Sequence, residues 1–149
     1  MCKKILVPTD GSTLSDQAAA TAVELARAHG SALVAISVAQ PFPSMVSEAA
    51  VITDAGLETT ILMKQAQENV DKVAQLAAQA GVPCTTLTAL SYLPHEEIIR
   101  AATAGGCDLI CMASHGRRGL SKLLAGSVTQ NVLLYSTLPV LVLRPGVAS

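Results

Sequence analysis

The sequence predicts an α/β protein with an open, five-stranded parallel sheet and helices on both of its faces. Short runs of β-branched and aliphatic residues alternate with Ala-rich stretches whose apolar residues recur at helical spacing. Half of the 149 residues are apolar, whereas only 14% are charged and 2% aromatic, which suits strands buried on both faces under closely packed helices. Strands that alternate with helices imply right-handed crossovers and parallel pairing.

The predicted elements follow one another with turn-forming residues between them. The first strand ends in a loop of turn formers at 8–12, after which Ser12 or Ser15 caps a helix that Gly30 ends. The predicted strands are 4–8, 32–39, 82–89, 108–112 and 139–143; the later helices are 60–80, 94–104 and 120–135, and 40–60 is an irregular connection. Because no linker divides the chain, residues 1–149 are predicted to form one domain.

Charge is unevenly distributed along the chain. The net charge of −1 gives no global field for nucleic acid or an anionic membrane. All eleven acidic residues lie at or before Asp108, and the charged side chains after it are cations: Arg117, Arg118, Lys122 and Arg144. The C-terminal third therefore suits a compact anion better than a polynucleotide.

The cysteines predict neither a metal site nor a disulfide framework. The four cysteines form no CxxC pair and the three histidines do not cluster with them, so we expect buried, reduced thiols. No apolar run reaches the roughly 18 residues of a membrane span. No signal peptide is visible, because the first apolar run stops at Pro8, and we therefore expect a soluble cytoplasmic protein.

Two loops stand where open parallel sheets bind ligands, beyond the carboxyl ends of strands. The first is 8–12, and the second is the glycine-rich, basic stretch 113–129. The second combines glycines that admit a ligand to the backbone, hydroxyl donors and a cation: Gly116, Gly119, Gly126, Ser127, Thr129 and Arg117. Neither a Walker loop nor a dinucleotide fingerprint is present. A phosphate site and a surface turn remain equal alternatives on these residues alone.

Three blocks of the sequence resemble the universal stress protein family: 5–12, 108–116, and 126–129 leading to 139–143. The resemblance spans essentially the whole chain and implies a Rossmann-like three-layer sandwich of the adenine nucleotide α-hydrolase type. ATP-binding members of that family resemble one another in a Gly-x2-Gly-x9-Gly-Ser/Thr motif. Gly116 and Gly126-Ser127 match its later elements, whereas Ala113 replaces the first glycine and adds a methyl group beside a phosphate or ribose.

The resemblance also implies a role for each matching residue. Asp10 would accept hydrogen bonds from adenine or ribose in a loop shaped by Pro8 and Thr9, and Val38 would meet the adenine. Met112 and Ala113 would line the nucleoside. The phosphates would be surrounded by His115, Gly116, Gly126, Ser127, Val128 and Thr129. A Mg²⁺ or Mn²⁺ ion would be held mainly by phosphate oxygens rather than by protein carboxylates, so no dedicated metal site in the protein is implied.

These residues also have simpler interpretations. Asp10 is a possible turn or helix cap, His115 a loop residue bonded to backbone, and Arg117 a solvated surface cation. The leading hypothesis is a stress-related regulatory protein that binds ATP with slow or no hydrolysis and is not an enzyme, because the sequence has no evident hydrolytic arrangement. The alternative is a dimeric adaptor without nucleotide affinity, which Ala113 favours. An adenylyl-transferring or flavoprotein-like enzyme of related fold is disfavoured because a second substrate domain is missing. The family resemblance further implies a homodimer through 139–143.

Overall fold

A computed structural model describes residues 2–41, 55–116 and 125–146. The strands are β1 (Lys4–Pro8), β2 (Ala32–Ala39), β3 (Cys84–Leu90), β4 (Leu109–Ala113) and β5 (Val140–Leu143). The helices are α1 (Thr13–His29), α2 (Ala55–Gln79), α3 (Pro94–Ala104) and α4 (Ser127–Tyr135). The strands form one parallel sheet in the order β3-β2-β1-β4-β5. The predicted parallel α/β fold is therefore confirmed.

Each face of the sheet carries its own apolar core. Successive side chains of a strand point to opposite faces. Ile5 and Val7 accordingly pack with residues of α1 and α2, whereas Leu6 packs with residues of α3 and α4. Alanines line the buried side of α1, namely Ala18, Ala19, Ala22 and Ala26. Small side chains let this helix approach the sheet closely, which accounts for the aliphatic, aromatic-poor composition.

The ends of α1 lie where the sequence predicts them. Ser12 is the N-cap, and its side chain accepts a hydrogen bond from the amide of Ser15 over 3.2 Å. Gly30 ends the helix with φ of 68°, a left-handed conformation that costs glycine little.

Two predicted helix starts are wrong. The second helix begins at Ala55 rather than at residue 60. The sequence did not reveal this first part of the helix, because residues 56–61 are exposed and carry no buried periodicity. The fourth helix begins at Ser127 rather than at residue 120, because Gly126 is extended, with φ of −64° and ψ of 164°. Residues 117–124 lie outside the described part of the chain. Smaller shifts move the third strand to Cys84–Leu90, the fourth to Leu109–Ala113, and the fifth to Val140, after Pro139.

Asp108 links two neighbouring strands at the amino-terminal edge of the sheet. Its Oδ2 accepts hydrogen bonds from the backbone amides of Lys3, at 2.6 Å, and Lys4, at 3.0 Å. These two bonds hold the pKa of the Asp108 carboxyl below its usual value. Asp108 thereby ties the start of β4 to the start of β1. Among the described residues, no helix is both long and apolar enough to cross a membrane.

Candidate functional site

The strand order reverses between β1 and β4. The chain crosses from β1 to β2 on one side of the sheet, and from β4 to β5 on the other. Loops that leave neighbouring strands in opposite directions open a crevice at the carboxyl edge, where open α/β sheets bind ligands. The two loops singled out in the sequence both leave the sheet at this crevice.

The loop after β1 is held by its own polar side chains. The buried Pro8 ends the strand, and the amide of Thr9 then donates to the carbonyl of Ile36 over 2.9 Å. The buried hydroxyls of Thr9 and Ser15 lie 3.2 Å apart, which joins the loop to α1. Asp10 Oδ1 accepts from the amide of Ser12 over 3.0 Å. The Oδ1 atom therefore fits the simpler interpretation of Asp10 as a residue that closes a turn.

The loop after β4 is fastened to the start of α4. The amide of Gly126 donates to the carbonyl of Ser114 over 2.7 Å, and the Thr129 hydroxyl donates to the carbonyl of Ala113 over 2.8 Å. The amide of Ser114 in turn donates to the carbonyl of Leu143 over 2.8 Å. These bonds place the first turn of α4 at the end of β4, beside the crevice.

The two loops meet where Gly116 faces Asp10. A β-carbon built on Gly116 would lie 2.9 Å from Asp10 Cγ and would overlap its Oδ2. Glycine is therefore required at this position for the carboxylate to keep its place. The structure thus brings together Asp10 and Gly116, which the sequence placed in the same site from separate blocks.

The N-terminus of α4 offers backbone donors to the crevice. Gly126 is the N-cap and supplies no side-chain hydrogen bond to the helix. The first N–H groups of a helix lack intrahelical acceptors, and the helix dipole places partial positive charge there. Ser127 is exposed in this first turn, Val128 is half-buried, and Thr129 is buried. The arrangement is suited to an anion.

The backbone of Val38 faces the crevice from the other side. In a parallel pair, alternate residues of a strand direct both N–H and C=O to the same neighbouring strand. Ile36 faces β1 in this way, since its carbonyl accepts from Thr9, and the β1–β2 pairing stops at Pro8 with Ile36. Val38 therefore directs its N–H and C=O to the β1 side, beyond the end of β1.

The apolar floor of the crevice is formed on the α3 and α4 side. Val38 and Val128 both pack against the core cluster that contains Met112, which is 5% exposed. Val38 and Met112, two of the residues predicted to meet the nucleoside, are therefore on one face of the sheet, together with Val128, which was predicted beside the phosphates.

Ala113 lies on the other face. Cys111 belongs to the core beneath α1, where its thiol lies 3.6 Å from the carbonyl of Ala18. Ala113 follows Cys111 by two residues, so its methyl points toward α1 and away from Met112. His115 is half-buried, and its Nδ1 lies 3.2 Å from the Ser114 hydroxyl. This contact is to a side chain, whereas the simpler interpretation of His115 expected a backbone partner.

Sequence reasoning missed the first turn of α1 and the segment after β5. A cavity of about 370 Å³ lies on the α1 side of the crevice, and it is lined by Ser12, Thr13, Leu14, Gln17, His115, Gly116, Pro145 and Gly146. His115 and Gly116 were predicted from the sequence; of the other lining residues, only Ser12 gave a signal, as a helix cap. Two predicted site residues, Arg117 and Gly119, lie outside the described residues, as do Arg118 and Lys122.

The cysteines stand apart from the crevice chemistry. Cys107 and Cys111 are buried, and burial raises the pKa of the Cys111 thiol to about 11. Within residues 2–41, 55–116 and 125–146, no group of three His, Cys, Asp or Glu side chains is placed to hold a metal ion.

The sheet order and the crevice at its reversal define a Rossmann-like α/β protein of three layers. The chain belongs to the universal stress protein family, whose family model matches residues 1–144. A universal stress protein of Methanocaldococcus jannaschii is 35% identical over 144 residues, which cover 95% of this chain and 82% of that protein. One of Thermus aquaticus is 34% identical over 145 residues, which cover 97% and 100%.

Solved structures show the same fold. The protein MJ0577 of Methanocaldococcus jannaschii matches with a TM-score of 0.74 at 28% identity, over 99% of each chain. The universal stress protein UspA from Lactobacillus plantarum matches with a TM-score of 0.76 at 24% identity, over 95% of this chain and 97% of that one.

Proposed function

We propose that this chain is a cytoplasmic, stress-related regulatory protein that binds ATP, or another adenine nucleotide, in the crevice between β1 and β4. Structures of universal stress proteins in complex with cAMP and, from Archaeoglobus fulgidus, with dAMP share its fold. Those complexes support an adenine nucleotide as the ligand class.

The backbone of Val38 carries the proposal. Its N–H and C=O point past the end of β1 into the crevice. A peptide N–H and C=O side by side complement the N1 acceptor and the N6 amino donor of adenine. The side chains of Val38 and Met112 provide an apolar surface for the ring. This recognition requires no aromatic side chain, in keeping with a sequence that is only 2% aromatic.

The phosphates extend from the base toward α4 in this proposal. The N–H groups of the first turn, beginning at Ser127, bind phosphate oxygens, and the exposed Ser127 hydroxyl adds a donor. Asp10 lies between the base and the phosphates and accepts from the ribose hydroxyls. A Mg²⁺ or Mn²⁺ ion is held mainly by the phosphates, because magnesium keeps waters and phosphate oxygens as ligands.

We further propose that hydrolysis is slow or absent, so that the protein acts as a binding module. A general base must lie within hydrogen-bond reach of the attacking water. His115 is the titratable side chain of the described loop nearest the phosphates, and its Nδ1 is already engaged with the Ser114 hydroxyl. Turnover of purified protein faster than about 1 s⁻¹ would make it an enzyme of ordinary rate and overturn this part.

A second copy of the chain is the proposed partner, through β5. This strand is at the edge of the sheet, and Leu141 is 40% exposed. The carbonyl of Pro139 accepts from Ile110 in β4, and that of Leu143 accepts from Ser114 directly after β4. The alternation therefore directs the N–H and C=O groups of Val140 and Val142 outward. Antiparallel pairing of two such strands would cover both edges.

Ala113 favours a second candidate, an adaptor of the same fold without nucleotide affinity. This alanine replaces the first glycine of the motif, and its methyl group points toward α1, on the face of the sheet opposite Met112. Calorimetric titration with ATP and magnesium separates the two candidates. A dissociation constant below about 1 mM supports nucleotide binding, and a weaker one leaves the adaptor.

A further inference from the structure

A buried polar pair interrupts the apolar core directly behind Val38. Ser37 is 2% exposed and Asn69, on α2, is 6% exposed. Asn69 Nδ2 donates to Ser37 Oγ over 3.2 Å, and Asn69 Oδ1 accepts from Gln65 Nε2 over 3.1 Å. The neighbouring turns of α2 contribute Val70 and Val73 to the apolar cluster.

Such a pair is costly in an apolar core, because each group loses water and must find its partner in one geometry. Aliphatic residues at both positions would fill the same space without that requirement. A buried hydrogen bond instead fixes the relative position of two elements, here the end of β2 and the middle of α2.

The end of β2 needs such fixing. Its pairing with β1 stops at Ile36, so Ser37, Val38 and Ala39 are paired within the sheet only with β3. Strand β3 is itself at the edge of the sheet. The Ser37–Asn69 bond joins this segment, which is paired on one side only, to α2. Ser37 lies one residue before Val38, whose backbone groups face the crevice.

We propose that Ser37 and Asn69 are positioning residues that set the base specificity of the crevice by holding the Val38 backbone in place. The inference rests on the proposed adenine-nucleotide function. The C=O of Val38 distinguishes the N6 amino donor of adenine from the O6 acceptor of hypoxanthine only if its position is fixed. The bond therefore governs the preference for ATP over ITP, whose base carries O6 in place of the amino group and a proton on N1.

The experiment compares ATP and ITP affinity, with magnesium, in the native chain and two variants. Ser37→Ala leaves the Asn69 amide buried without its acceptor, whereas the double variant Ser37→Ala/Asn69→Leu removes both polar groups. Gln67→Ala is the matched control, since it removes an exposed hydrogen bond to Asp71 from the same helix. Thermal unfolding of each variant reports stability separately.

We expect the native chain and the control to prefer ATP by about tenfold, the value of one well-placed hydrogen bond. Both core variants should lose that preference while their ITP affinity changes by less than about twofold. The double variant should recover thermal stability, because it leaves no unpaired polar group in the core. It should not recover base preference, because the bond that positions Val38 is still missing.

Three results contradict the proposal in different ways. An unchanged ATP-to-ITP ratio in both variants overturns the positioning role and leaves the proposed function standing. A ratio that recovers with stability in the double variant shows that the pair acts through folding alone. Failure of the native chain to bind ATP overturns the proposed function and this inference together.

Discussion

Gly116 lies so close to the Asp10 carboxylate that no β-carbon fits between them. A methyl group on Gly116 would overlap Asp10 Oδ2 and come within 2.9 Å of Cγ. The residues belong to loops that leave the sheet on the two sides of its strand-order reversal. The contact therefore makes the geometry of one loop depend on the other, and it explains physically why glycine stands at this position.

Gly116→Ala is predicted to displace the Asp10 carboxylate and weaken ATP binding by about tenfold or more, the loss of one charge-assisted hydrogen bond to ribose. Calorimetric titration measures the loss. Gly146→Ala is the matched control, because a β-carbon there meets no atom within 4 Å. Equal affinities of the two variants would show that the contact has no part in binding.

Gly126→Asp is predicted to abolish ATP binding while leaving α4 folded. Aspartate is a favoured N-cap, so thermal stability should stay equal or rise. The new carboxylate, however, would repel the phosphates. Gly126→Ala separates charge from volume, because its β-carbon would lie 3.4 Å from His115 Cα, which is an ordinary contact. If the aspartate variant binds ATP normally, the phosphates lie elsewhere.

The fold could be predicted from the sequence because its signals are local. Residues 32–39 form an apolar run broken only by Ser37 between turn formers, and β2 occupies that range. Helix starts were less accurate where the signal is weak: the exposed start of α2 has no buried periodicity, and the bond that fixes Gly126 comes from distant Ser114.

The glycine-rich loop after β4 could be singled out from its own residues, whereas the roles of Asp10, Val38 and Met112 came only through family resemblance. Its geometry depends on relations between distant segments that no local pattern encodes. Val38 faces the crevice because β1 ends opposite Ile36, and Asp10 meets Gly116 because β1 and β4 are neighbours. The Ser37–Asn69 bond likewise joins a strand to a helix that begins beyond the intervening connection.

Val142→Pro is predicted to weaken the homodimer without disturbing the fold. The N–H of Val142 points away from β4, so proline removes a donor that only a second copy would use. Val142→Ala keeps this N–H and serves as the control. Light scattering should show more monomer for the proline variant than for the control. A native chain that is a stable monomer contradicts the proposed pairing.

Asp108→Asn is predicted to lower thermal stability at pH 7 and to lose this effect in acid. The amides of Lys3 and Lys4 lower the pKa of the folded Asp108 carboxyl from 3.8. When folding lowers the pKa of a carboxyl group, the ionised group stabilises the folded state at any pH above its pKa in the unfolded chain. This stability is lost as the pH falls through the folded pKa. Melting temperatures of the native chain and the variant should therefore converge below pH 3.8.

The exposed Asp71→Asn change controls for removing one negative charge. A difference between native chain and Asp108→Asn that persists unchanged into strong acid would show that the Asp108 carboxylate does not stabilise the junction of β1 and β4.

In the proposed function, an adenine nucleotide lies between the Val38 backbone and the first turn of α4. Titration of ¹⁵N-labelled protein with ATP and magnesium tests it most directly, because amide resonances report binding and position together. We expect saturable shifts of the Val38, Gly116 and Ser127 amides that share one dissociation constant below about 1 mM. Shifts confined to other parts of the chain, or no saturable shift at all, would contradict it.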